Sequence, residues 1–124
     1  MIIDHHNHVW EGVSTGGFLD EGMSVGRILR EMDRAGVDMC GVCTVAQSID
    51  NDYVVRAQRE HPDRLFGYCM VNPRLPGAVE ELRKYLDLGL KGLKLHPRLH
   101  GYQLGDHTLV DPLMELCREY KVPM

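Results

Sequence analysis

Met1-Ile2-Ile3-Asp4-His5-His6-Asn7-His8-Val9-Trp10 opens the chain with an apolar run leading into an acid and three histidines. In a β-strand alternate side chains point the same way. The alternation therefore predicts Asp4, His6 and His8 on one face and His5 on the other. Two imidazoles at i, i+2 on a rigid strand can grip one divalent metal ion, with Asp4 as a partner behind the ligands. Solvated histidines at a polar strand end are the competing reading of an isolated H-x-H, so the rest of the chain has to decide.

Outward from that strand, short apolar runs alternate with helical stripes. The first strand is expected over residues 1–6. A glycine-rich loop follows, with Gly12, Gly16, Gly17 and Gly22 around Trp10 and Phe18. Ser24 is a good N-cap, and Val25, Ile28, Leu29, Met32 and Ala35 keep the i, i+3, i+4, i+7 spacing of a helix that Gly36 closes. A second strand is expected over 37–45, then a helix capped by Asp50 or Asn51 and ending near His61, ahead of Pro62. A third strand spans 65–71. The next helix takes Pro76 in its first turn, faces Val79, Leu82 and Leu86 inward, pairs Glu80 with Lys84 outside and ends at Gly89. A fourth strand covers 90–96. Beyond a polar loop with Arg98, His100 and His107, Asp111-Pro112 reads as N-cap and N1 of a helix burying Leu113, Leu116, Cys117 and Tyr120.

The order is βαβαβαβα in units of roughly thirty residues. Alternation of this kind implies a parallel sheet with helices packed outside it. The expected fold is α/β, four consecutive βα units forming half of a TIM (β/α)8 barrel, with a small open sheet as the alternative. A whole barrel takes about 250 residues, and Val122-Pro123-Met124 looks like the first residues of a fifth strand. Residues 1–124 are thus expected to be a single unit, cut off where strand 5 begins.

Bulk properties narrow the class. At 124 residues the chain has the size of one ordinary domain, and 44% hydrophobic against 26% charged is a globular balance. A formal net charge of -4 argues against a nucleic-acid surface. No apolar run has the length of a membrane-spanning helix, and no leader pattern precedes the first strand. A cytoplasmic location is the expectation. Cys40 and Cys43 form C-x-x-C inside a strand, where i and i+3 face opposite ways. With Cys69 and Cys117 they are expected to be buried free thiols rather than a zinc or redox site.

In parallel α/β architectures chemistry gathers at the carboxyl ends of the strands. Here His6 and His8 end strand 1, residues 44–48 follow strand 2, Asn72 ends strand 3, and Lys94 and His96 end strand 4. Lys91 and Lys94 differ in parity. A lysine aimed inward is costly unless paired, so Lys94 is either a partner for a substrate carboxylate or a residue modified to bridge metals. The alternative sends it outward to snorkel between helices. Arg98 is a candidate carboxylate clamp. His100 and His107 either meet substrate or lie solvated in their loop, and His61 is structural.

Ile3-Asp4-His5-His6-Asn7-His8 resembles the D-x-H-x-H signature on the first strand of the amidohydrolase superfamily. Together with Val71-Asn72-Pro73, Gly77-Ala78-Val79-Glu80-Glu81-Leu82 and Gly92-Leu93-Lys94-Leu95-His96-Pro97 it is similar to the amidohydrolase-related (amidohydrolase 2) branch. TatD-type nucleases and PHP phosphoesterases share D-x-H-x-H, but G-x-K-x-H-P on strand 4 points away from them. The resemblance covers the whole chain but only the N-terminal half of the family's barrel. It implies that His6 and His8 are metal ligands, with zinc the expected ion, and that Lys94 and His96 match family positions near the site, where they are the candidate catalytic residues; Arg98 and His100, read from the residues themselves, are the possible substrate contacts. The family's further histidines and its aspartate general base would fall beyond Met124. The expected activity is metal-dependent hydrolysis of an amide or lactone of a small carboxylic acid. Non-oxidative decarboxylation is the alternative within the superfamily. A non-catalytic half-barrel, closed by a second copy or by a missing C-terminal half, is the alternative of another class, and a self-sufficient open α/β binding domain is a third.

Overall fold

The computed structural model describes residues 1–11 and 21–124. The expected glycine-rich loop at Gly12, Gly16, Gly17 and Phe18 lies outside the described residues. Its flanks are joined by an antiparallel bridge between Trp10 and Met23, with paired backbone hydrogen bonds of 3.1 and 2.9 Å.

In chain order the elements are β1 Ile3–His8, α1 Val25–Ala35, β2 Met39–Cys43, α2 Asn51–Glu60, β3 Leu65–Gly67, β4 Cys69–Met70, α3 Ala78–Asp87, β5 Leu93–Lys94, α4 Pro97–His100 and α5 His107–Tyr120. All strand pairings are parallel: β1-β2-β3 form one ladder and β4-β5 another. β3 and β4 are the expected third strand, divided at Tyr68. The Tyr68 N–H donates to the Val42 carbonyl, and the next N–H, of Cys69, donates to the Gly92 carbonyl, both at 2.8 Å. The strand thus pairs with β2 along its first half and with β5 along its second, the stagger that tilted parallel strands develop. At the far edge the Leu93 N–H donates to the Pro123 carbonyl at 3.0 Å, so residue 123 continues the ladder beyond β5.

The helices begin and end largely where local chemistry places them. Ser24 caps α1 by accepting from the Arg27 N–H, and Gly36 closes it in the left-handed conformation. Asp50, not Asn51, caps α2 through the Tyr53 N–H. α3 starts one residue after a Gly77 N-cap, so Pro76 precedes the helix rather than occupying its first turn. α5 starts at His107 behind an Asp106 N-cap, a turn before the expected Asp111-Pro112 start, and Pro112 lies within it. Pro112 is near enough to the amino end that little of the intrahelical ladder precedes it.

The core lies between the sheet and the helices. Ile28 and Met32 of α1, Val54 and Ala57 of α2, Leu82 and Leu86 of α3, and Leu113 and Leu116 of α5 pack with Cys40, Val42, Leu65, Cys69 and Val71. Cys40, Cys43, Cys69 and Cys117 are free and buried, as expected. Burial pushes the Cys40 and Cys43 thiols up to about 11, which keeps them protonated and inert at neutral pH.

Candidate metal centre

β1 does not alternate regularly. Asp4 stands beside Cys40 and Asn7 beside Val42, so two residues of β1, His5 and His6, face the single residue Gly41 of β2. This is a β-bulge, which re-aims side chains on the bulged strand. The expected shared face of Asp4, His6 and His8 is therefore corrected. Asp4 and Asn7 line a cavity against α1 with Ile28, Glu31 and Met32. His5, expected to point away, lies on the opposite, inner face. Its ring meets Phe66 edge-on at 5.3 Å, and its Nδ1 is 3.0 Å from the Tyr68 hydroxyl.

Asp4 does not orient either the His6 or the His8 imidazole. Its carboxylate accepts from the His6 backbone N–H at 3.2 Å and so ties the bulge together. The Asn7 side chain and that N–H hold its carboxyl below the usual range.

The His6 and His8 rings come together, with centroids 5.2 Å apart. His8 Nδ1 lies 2.8 Å from the Thr44 carbonyl, which can only accept, so Nδ1 carries the proton and Nε2 keeps its lone pair. Burial lowers the His8 pKa, and nearby His6 and Lys94 lower it further, so the ring is neutral at pH 7. His6 Nε2 is 3.3 Å from the Lys94 ammonium. An ammonium only donates, so His6 too presents an unprotonated nitrogen. Two imidazoles side by side, one locked by a backbone carbonyl, suit a divalent metal, for which a second hydrogen bond at the distal ring nitrogen is the usual support. Among the described residues no group of three or more His, Cys, Asp or Glu side chains converges to complete a ligand set.

Lys94 points inward, and Lys91, of the other parity, is exposed. With His5, His6, Cys43 and Tyr68, Lys94 lines a cavity of ≈ 220 Å³ that Pro123 and Met124 border. No carboxylate pairs with it among the described residues. Tyr68 lies between two glycines: a Cβ on Gly41 would stand 2.9 Å from its ring, and one on Gly92 likewise 2.9 Å. Tyr68 and His5 escaped the sequence reading. The signal for Tyr68 was a glycine on each neighbouring strand, Gly41 in register with Phe66 and Gly92 one residue before the Cys69–Leu93 pair.

The remaining candidates are spread out. His96 follows the end of β5 and caps α4, its Nδ1 accepting from the Leu99 N–H at 3.4 Å, so it does not join Lys94 and His6. Arg98 is exposed on α4. His100 is half-buried, with Nε2 3.3 Å from the Ala46 carbonyl in the loop after β2 and Nδ1 buried without a partner. His107 is exposed and paired to Asp111 at 3.0 Å.

The sequence model of the family described as amidohydrolase matches residues 3–124. No curated protein matches the chain. Among solved structures, 5-carboxyvanillate decarboxylase from Novosphingobium aromaticivorans, with bound manganese, is 24% identical with a TM-score of 0.67, covering 78% of this chain and 32% of its own. A probable 2-pyrone-4,6-dicarboxylic acid hydrolase from Acinetobacter baumannii, with citric acid bound, is 21% identical with a TM-score of 0.67, over 97% and 45%. 4-Oxalomesaconate hydratase from Rhodopseudomonas palustris is 19% identical with a TM-score of 0.73, over 99% and 51%. The chain thus spans a third to a half of the length of these structures, and at such identities the likeness is one of fold. Among the described residues no helix is long and apolar enough to cross a membrane.

Proposed function

The chain belongs to the amidohydrolase family, and on that premise we propose that it carries the first part of a divalent-metal site acting on a small carboxylic acid. The observation behind this reading is the pair His6 and His8, ring centroids 5.2 Å apart, with His8 Nδ1 committed to the Thr44 carbonyl at 2.8 Å. These two side chains would hold the metal, zinc being the expected ion for imidazole donors. Such an ion, when bound, supplies a water acidified to about pH 7 and a Lewis acid for a carbonyl.

The chain's own contribution is positional. Thr44 fixes the His8 tautomer, and the Asp4 carboxylate holds the bulge that turns His6 inward. Lys94, inward and without a carboxylate among the described residues, is the partner for an anionic substrate group. Tyr68 borders the same cavity, with the Phe66 ring packed edge-on against it. The reaction we favour is hydrolysis of an amide or lactone. Non-oxidative decarboxylation is the second reading, supported by the decarboxylase among the similar folds.

In this proposal residues 1–124 form one unit, the first half of a barrel. Its further strands, from more chain or a second copy, join at the edge where Pro123 already accepts from Leu93. Arg98, His100 and His96 then lie toward the rim on the substrate side. Two imidazoles alone bind metal weakly. Calorimetry with Zn²⁺ on the 124-residue chain should give binding weaker than micromolar that His6→Ala or His8→Ala abolishes. Binding that survives both substitutions together would remove the site from β1.

A further inference from the structure

The position of Lys94 carries a consequence for the order of binding. Its ammonium is 3.3 Å from His6 Nε2, the only hydrogen-bond partner it has among the described residues. An ammonium has no lone pair, so the contact uses the lone pair of His6. A metal ligated through Nε2 needs that same lone pair at about 2.0–2.1 Å. The two cations cannot share it. Lys94 must leave His6 before Nε2 takes a metal.

We propose that Lys94 is a cation gate on His6: it occupies the ligand nitrogen while the site is empty of metal, and metal binding turns it away from His6 into the cavity that both side chains border, where it becomes the anion-binding group. This inference deepens the proposed function and rests on it. The cavity that receives the released ammonium is the ≈ 220 Å³ space lined by Tyr68, Cys43 and Leu93. No Asp or Glu side chain lines it among the described residues. The freed charge is therefore left to an incoming anion, and the ligand class that fits is a carboxylate small enough to reach Lys94. The two events are coupled. Metal binding exposes the ammonium to the anion, and by linkage an anion that draws Lys94 off His6 raises metal affinity by the same factor. Lys94 is in this sense a positioning residue for the metal site as well as a substrate contact.

The test uses the 124-residue chain with ¹⁵N-labelled histidine, titrated with Zn²⁺ and followed by the imidazole nitrogen shifts of His6 and His8, which read weak binding directly. Lys94→Met should bind Zn²⁺ about tenfold more tightly than the native chain, the size of a lost charge-assisted hydrogen bond. Lys94→Arg, which keeps the charge, should gain little, and this separates the gate from any general effect of substitution on the fold. Succinate should tighten Zn²⁺ binding several-fold in the native chain and less in Lys94→Met, where only direct contact of the carboxylate with the metal remains. Equal or weaker Zn²⁺ binding by Lys94→Met, with both histidines still shifting, overturns the gate and leaves the metal site standing. Histidine shifts that do not respond to Zn²⁺ in any variant overturn the metal site, and the gate with it.

Discussion

Tyr68 has a neighbour without a side chain on each flanking strand, Gly41 on one side and Gly92 on the other. Its ring lies flat across the inner face and its hydroxyl reaches His5 at 3.0 Å. Space, rather than backbone freedom, is what these glycines supply. Added at Gly41, a methyl would stand 2.9 Å from both Phe66 and Tyr68 ring atoms. Gly41→Ala should therefore cost about 1–3 kcal/mol, the usual penalty for overpacking, read as a lower urea midpoint. A change under about 0.5 kcal/mol, the range of surface substitutions, would mean the rings move aside freely. A second residue-scale prediction concerns His107, whose pKa Asp111 raises above its ordinary 6.5. The pair contributes stability while the imidazole is charged. That contribution is present in full below pH 6.5 and is lost as pH rises through the raised value. Both groups are exposed, so the effect is small and weakened by salt. The direct check is an NMR titration of the His107 ring: Asp111→Asn should return it to the ordinary histidine range, and an unchanged titration would show that Asp111 is not the cause.

β4 shows how an element is held where its partner strand peels away. Cys69 bonds to β5, which turns the Met70 N–H and C=O toward the β2 side, beyond the end of β2 at Cys43. Asn51, in the first turn of α2 and 2% exposed, fills that gap. Its Oδ1 accepts from the Met70 N–H at 2.9 Å and its Nδ2 donates to the Met70 carbonyl at 2.8 Å. Asn51→Leu keeps the volume but leaves both backbone groups buried without partners, at about 1–3 kcal/mol for each. Chemical denaturation should show it, and Asn51→Asp should also destabilise because a carboxylate cannot donate to the carbonyl. Nothing in one strand's sequence announced this bridge, because it depends on where the neighbouring strand ends. The same limit explains β1. The pattern Asp4-His5-His6-Asn7-His8 carries the H-x-H pair legibly, and the structure brings His6 and His8 together. The bulge is a property of register against β2, so strict alternation misplaced His5 and Asp4. Helix α1 was readable to the residue because cap, stripe and closing glycine all agree. The start of α5 was not, because Asp106 and Asp111 are both plausible caps and tertiary packing of Val110 selects the earlier one.

At the scale of the whole molecule the sheet is covered unevenly. The helices bury one face in a continuous core, whereas the other carries His5, His6, Tyr68 and Lys94 around an open cavity. β1 pairs only with β2 among the described residues, which leaves its outer backbone edge free. Ile3, which begins that strand, and Ile2 just before it are 42% and 57% exposed. A free edge bearing apolar side chains is a template for another strand. Two copies related by a twofold axis can satisfy it by pairing β1 with β1, because a closed twofold contact uses the same surface on both chains. Asp4 is the one charged side chain on the exposed start of β1, and no lysine or arginine lies there to repel a second copy. The 124-residue chain is therefore expected to associate as its concentration rises, with the weight-average mass in sedimentation equilibrium moving toward twice the monomer. Ile3→Lys places a like charge on both edges and removes apolar surface from each, so it should shift the population back to monomer without lowering the unfolding midpoint of the dilute protein. A native chain that stays monodisperse and monomeric across the accessible concentration range would contradict the edge argument.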